Sequence, residues 1–118
     1  MKRFVAAAVI ASLTTLAASA ASAKQVTDKS EFLNIVSGKT ISRPLVKISV
    51  TSDGRIFGKG AKWPVTGNWS WKGGYFCRSL DWGGSDLGYD CQMVTFENGS
   101  IRFTSQRGKG QSAAFSLR

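Results

Sequence analysis

Hydrophobic positions follow two different periods along this chain. Phe32, Leu33, Ile35 and Val36 fall at helical spacing. Asp28 stands at a capping position with Glu31 three residues on, a capping-box pattern. Gly38 supplies a C-terminal stop. The spacing predicts a short helix over 29–37.

Beyond Pro44 the period becomes two. Val46, Ile48 and Val50 alternate with Lys47 and Ser49, and Asp53-Gly54 follows as a two-residue hairpin signal. Residues 55–60 return, with Ile56 or Phe57 on the buried side. From 63 to 71 the chain alternates again, placing Trp63, Val65, Gly67, Trp69 and Trp71 on one face. Lys72-Gly73-Gly74 turns the chain into a strand over 75–82, and Gly83-Gly84-Ser85 reverses it into a strand over 89–97. Asn98-Gly99 is a type I′ signal. A two-residue turn there sets Phe96 opposite Ile101 and Val94 opposite Phe103, with all four apolar side chains on one face. Residues 100–106 pair back, Arg107-Gly108-Lys109-Gly110 turns, and 111–118 closes the chain. Turn signals about every 8–12 residues indicate an antiparallel barrel or sandwich. The fold expected is all-β, a small meander barrel or curved sheet of about six to seven strands, with the helix covering one end.

The N-terminus has a different character. Met1-Lys2-Arg3 is a short positive region, residues 4–16 are mostly apolar, and Ala21-Ser22-Ala23 is a small-x-small cleavage site. Residues 1–23 therefore read as a secretory signal peptide, leaving a single β-rich domain over 24–118. The apolar run is shorter than the roughly 20 residues a membrane span needs, so no transmembrane segment is expected after cleavage. The destination is periplasmic or extracellular, and the Ala-rich style of the leader is bacterial.

Removal of the leader leaves 95 of the 118 residues, with 14 Lys and Arg against 7 Asp and Glu, a net charge of +7. A domain this small buries only about 60–65% of its unfolded surface, so a covalent staple is expected. Cys77 and Cys91 are the two cysteines. In an oxidising compartment they read as one disulfide closing a 15-residue loop, worth about 3 kcal/mol in the chain-entropy model. The turn near Gly84 lets them face each other across neighbouring strands.

The chain contains no His. That excludes a Ser-His-Asp triad, a Cys-His dyad and a His-ligated metal, and the protein reads as non-catalytic and without a cofactor. Three of the seven acids, Asp81, Asp86 and Asp90, fall within ten residues. They are the only candidates for a hard-cation site or for a carboxylate-based hydrolase. The bland reading of the same residues is turn chemistry. Basic residues fall on turns and at outward strand positions: Lys62, Lys72, Arg78, Arg102, Arg107 and Lys109 among them. Interleaved with aromatics, they suit an anionic envelope polymer or a glycan, by steering and stacking. Nucleic acid is not the polyanion expected in that compartment. Trp63, Trp69 and Trp71 read as core, and Trp82, beside two glycines, as the exposed tryptophan of a binding surface.

Four stretches carry a resemblance: Gly67-Asn68-Trp69-Ser70-Trp71, Gly74-Tyr75-Phe76-Cys77-Arg78, Asp86-Leu87-Gly88-Tyr89-Asp90-Cys91-Gln92 and Ile101-Arg102-Phe103-Thr104. With them the chain resembles a family of short exported alphaproteobacterial β-rich proteins of unknown function. Some members carry a dihydrodipicolinate reductase label. That activity needs a βαβ unit with Gly-x-Gly-x-x-Gly, which this chain lacks.

The functional expectation is thus an exported, non-catalytic binding protein with a basic, aromatic-rich surface for an anionic or glycan partner. Two alternatives stand beside it. One is a carrier that holds a small apolar ligand inside a closed barrel; the other is a periplasmic enzyme inhibitor. Volume separates the first two: a cavity beyond a few hundred Å³ favours the carrier, a filled interior the surface binder.

Overall fold

The computed structural model describes residues 23–118. The leader expected over 1–23 therefore lies, but for Ala23, outside the described residues. Nine strands and two short helices follow in order: β1 (Lys24–Val26), α1 (Lys29–Val36), β2 (Ile41–Arg43), β3 (Val46–Val50), β4 (Arg55–Gly60), β5 (Trp63–Lys72), β6 (Tyr75–Trp82), β7 (Ser85–Glu97), β8 (Ser100–Thr104), α2 (Ser105–Gly108) and β9 (Ser112–Leu117).

The sheet is antiparallel and closes on itself. β7 pairs with β6 along one edge and β8 along the other, and the order β7-β6-β5-β4-β3-β2-β9-β8 returns to β7. Eight strands thus form a closed barrel. The ninth, β1, continues the β6 edge of β7, with Val26 opposite Val94. The total exceeds the six to seven strands expected. β1 and β2 have three residues each, too few to show a period. They exist because β7, β3 and β9 offer them partners. β7 also begins at Ser85 rather than at Tyr89, four residues earlier than expected.

The registers follow from turn chemistry. Asn98 (φ 48°) and Gly99 (φ 75°) are both left-handed, as a type I′ turn requires. Phe96 lies opposite Ile101 and Val94 opposite Phe103. Cys77 lies opposite Cys91, and the two form the disulfide across β6 and β7. Gly58 and Gly67 meet a second requirement. A Cβ at Gly58 would strike the Lys47 carbonyl oxygen, and one at Gly67 that of Ser79. These two glycines let neighbouring strands coil tightly enough to close the ring.

Helix α1 plugs one end. Asp28 is its N-cap in extended conformation but makes no side-chain capping bond. Its carbonyl instead accepts from the Phe32 amide, at 3.0 Å. Glu31 in the first turn reaches Lys24 of β1, at 3.3 Å. Phe32 is completely buried. Its ring lies 5.3, 5.2 and 5.1 Å from those of Trp69, Trp71 and Phe76. The Trp69 indole donates to the Thr51 carbonyl and the Trp71 indole to that of Thr27, both at 2.8 Å. The plug is therefore satisfied in both its apolar and its polar parts.

Replacing Phe32 with Ala should cost about 3–5 kcal/mol, the range for a buried aromatic whose site collapses only partly. Leu45, 80% exposed in a turn, should tolerate Ala within about 0.5 kcal/mol. Urea unfolding followed by tryptophan fluorescence measures both. Equal losses would mean that the helix is not the plug.

Candidate functional site

Inward positions can be followed around the barrel from the registers. Trp71 and Phe76 pair, then Trp69 and Arg78, then Gly67 and Leu80. Because paired residues share a face, Arg78 points into the barrel with Phe76 and Leu80. This corrects the outward placement expected for it with the other cations. Its neighbours on β6, Cys77 and Ser79, point out.

The barrel is not filled. A cavity of about 320 Å³ lies within it and opens to solvent. Ile41, Ile48, Val50, Ile56, Leu80 and Phe115 form much of its wall. Phe76 and Phe103 line it as well, and both rings also contact Phe32 of the plug. They separate the filled part of the barrel from the empty part. Ala113, opposite Phe103, contributes only a methyl group. The polar lining consists of Arg78, Gln92, Ser105, Gln111 and Ser112, three of them at the α2–β9 turn.

Arg78 is the unusual member. Its Nη1 donates to the Gly88 carbonyl at 2.9 Å, its one hydrogen bond among the described residues. Its Nε is buried without a partner. Burial holds the guanidinium below its ordinary value, and the nearby Asp90 carboxylate opposes that shift. An arginine side chain nevertheless keeps its charge at neutral pH. No carboxylate among the described residues lies within ion-pairing distance of it. Asp90 lies opposite Arg78 in the β6–β7 register but accepts from the Gln106 backbone amide, at 3.2 Å, rather than pairing with the guanidinium. Gln106 and Arg107 are held in left-handed conformations (φ 53° and 54°), so the turn at the polar part of the lining is a strained one.

The remaining expected site residues disperse. Lys72, Arg107 and Lys109 gather outside the barrel near the disulfide. The Lys72 ammonium lies 6.0 Å from the Tyr89 ring centroid, and the Arg107 guanidinium 5.8 Å from that of Tyr75. Tyr75, Tyr89, Arg107 and Lys109 line one shallow outer groove with Cys91 and Asp90. Arg102 donates to the Ser112 hydroxyl, at 2.7 Å, on the outer face of β8. Lys62 stands over Trp63, at 5.6 Å, in the β4–β5 turn. Trp82 is 41% exposed and donates to the Gly60 carbonyl. Trp63, expected in the core, is 50% exposed. It does lie on the inward face, but at the strand's end, where the barrel wall has run out.

The three aspartates do not converge. Asp81 accepts from the Gly84 amide at 2.9 Å and Asp86 from the Gly88 amide at 2.8 Å. With Asp90 on Gln106, each serves a backbone donor at a turn. No group of three metal-ligating side chains occurs among the described residues. No helix among them is long and apolar enough to cross a membrane.

A ligand space inside a closed barrel was one of the expected alternatives, but the residues that line it were not named. One signal for it was present: Phe76-Cys77-Arg78-Ser79-Leu80 places a cation on an apolar period-two face.

A desolvated charge without an ion partner costs stability. Arg78→Met should therefore leave the urea midpoint unchanged or add up to about 1 kcal/mol of stability. A loss above about 1 kcal/mol would instead make Arg78 a structural strut acting through Gly88. No family model, curated protein or solved structure matches this chain, so the use of the lumen is argued from its own residues.

Proposed function

We propose that the protein is a non-catalytic binding protein that holds one small, largely apolar ligand in the barrel lumen. The observation that carries this reading is the cavity of about 320 Å³ with its mainly aliphatic and aromatic wall. Ligand sites have volumes of roughly 300–1,000 Å³ and combine an apolar wall with a few polar groups. Eight-stranded barrels enclose an interior that side chains can just fill or that can admit one small ligand. Here the aromatic plug fills one part, and short branched side chains leave the other open.

Action outside the cytoplasm belongs to the same proposal. The Cys77–Cys91 bridge fits an oxidising compartment, and the leader pattern over 1–23 fits export. A carrier there would take up a sparingly soluble compound and release it again without changing it chemically.

The outer groove favours a second reading. Tyr75 and Tyr89 flank the disulfide with Arg107 and Lys109 beside them, a combination suited to stacking against a sugar or pairing with an anion. In that reading the barrel is a scaffold and its lumen is incidental.

One variant separates the two. Ala113→Trp would drive a large ring into the lumen and leave the outer groove unchanged. N-phenyl-1-naphthylamine, a neutral apolar fluorophore, should brighten on binding the purified protein with a micromolar midpoint. Ala113→Trp should weaken that binding at least tenfold. No brightening with the unaltered protein contradicts the carrier. Salt-sensitive retention on heparin that Ala113→Trp does not disturb, together with absent fluorophore binding, would favour the outer groove.

A further inference from the structure

An aliphatic lumen that also contains an unpaired arginine asks for more than an apolar ligand. The guanidinium has two usable edges. Nη1 is already engaged by the Gly88 carbonyl, at 2.9 Å. The edge formed by Nε and Nη2 makes no hydrogen bond to the described residues, and Nε is buried there. That edge presents two parallel N–H groups, the fork that matches the two oxygens of a carboxylate. Arg78 lines the same cavity as Ile56, Leu80 and Phe115.

Resting on the carrier reading above, we infer that the ligand is a single-chain carboxylate, its head paired with the Arg78 guanidinium and its chain lying against the aliphatic wall. Three observations converge on this class. The first is the charge: the guanidinium makes no ion pair among the described residues, and Asp90 opposite it accepts instead from the Gln106 backbone amide. The second is the wall, which offers a chain apolar contact over most of the cavity. The third is size. At about 30 Å³ for each water-sized group, the cavity of about 320 Å³ accepts roughly ten such groups. That corresponds to a chain of medium length with its head, and is too little for a two-chain phospholipid. Gln92 and Ser105 add neutral donors to the same cavity, and these can hydrogen-bond the head without discriminating its charge.

The experiment is displacement of bound N-phenyl-1-naphthylamine by three ligands of equal chain length: decanoate, decanol and decyltrimethylammonium. With the unaltered protein, decanoate should displace at a concentration at least tenfold below decanol, as a charge-assisted bond implies. Decyltrimethylammonium should be the weakest of the three. In Arg78→Met, decanoate and decanol should displace at equal concentrations. Arg102→Met, on the outer face, should retain the full preference. Equal displacement by decanoate and decanol with the unaltered protein overturns the inference and leaves the carrier reading standing. A preference that survives Arg78→Met overturns it too, as does an Arg78→Met protein that is folded but binds none of the ligands. Decyl phosphate displacing more tightly than decanoate overturns the carboxylate assignment. Failure of the fluorophore to bind the unaltered protein overturns the lumen itself, and this inference with it.

Discussion

Closure of eight strands into a ring sets the terms for everything else in this molecule. Once β8 pairs back onto β7, the sheet has an inside whose width is fixed by strand number and tilt rather than by the side chains available. The chain must then supply enough volume to fill that interior or leave part of it open. It supplies rings at one end only. Phe32 enters from α1 and meets Trp69, Trp71 and Phe76, and Phe103 joins them at 6.4 Å. Away from this cluster the wall is mostly aliphatic, with Ile41, Ile48, Val50, Ile56, Leu80 and Ala113 beside the single further ring of Phe115, and it leaves the space between unfilled. A domain of about this length has little stability to spare. The ring cluster and the Cys77–Cys91 bridge therefore carry the fold, and the remainder of the lumen is left open.

Arg78 makes sense only in that setting. On an outward strand position it would be one more solvating cation among many. At an inward position it is a half-buried charge, and the acid opposite it is used by a turn amide. Such a group contributes little to the stability of the empty barrel and contributes most when an anion reaches it. Its location beside an apolar wall joins two requirements, a charged head and an insoluble chain, in one site. The strained turn at Gln106 and Arg107 lies beside the same lining. The Asp90 carboxylate accepts from the Gln106 backbone amide of that turn, so the acid that does not pair with Arg78 bonds the turn next to it.

The parts of the structure legible in the sequence were those encoded locally. Asn98-Gly99 set a register that the β7–β8 ladder repeats residue for residue. The helical stripe ending near Gly38 became α1, and two cysteines on either side of a glycine turn became a cross-strand bridge. What stayed hidden depends on partners distant along the chain. Three-residue strands such as Ile41–Arg43 show no period, and they form because two neighbours supply their hydrogen bonds. Trp63 kept the correct face yet lost its burial, because alternation specifies direction and not how far the wall extends. Arg78 shows the converse error: charge suggested the surface, while the period of Phe76 and Leu80 pointed inward. A cavity has no sequence signature of its own, since it is the difference between a ring's width and the summed reach of side chains from eight strands.

The central claim is that the space within the barrel, rather than its basic exterior, is where a ligand goes. Methyl-detected NMR tests this most directly. Titration with decanoate should shift the methyl resonances of Ile48, Val50, Ile56 and Leu80 together, with one saturation curve, and leave that of the exposed Leu45 in place. Shifts confined to groups near Tyr75, Tyr89 and Arg107, with the four lumen residues unmoved, would contradict it.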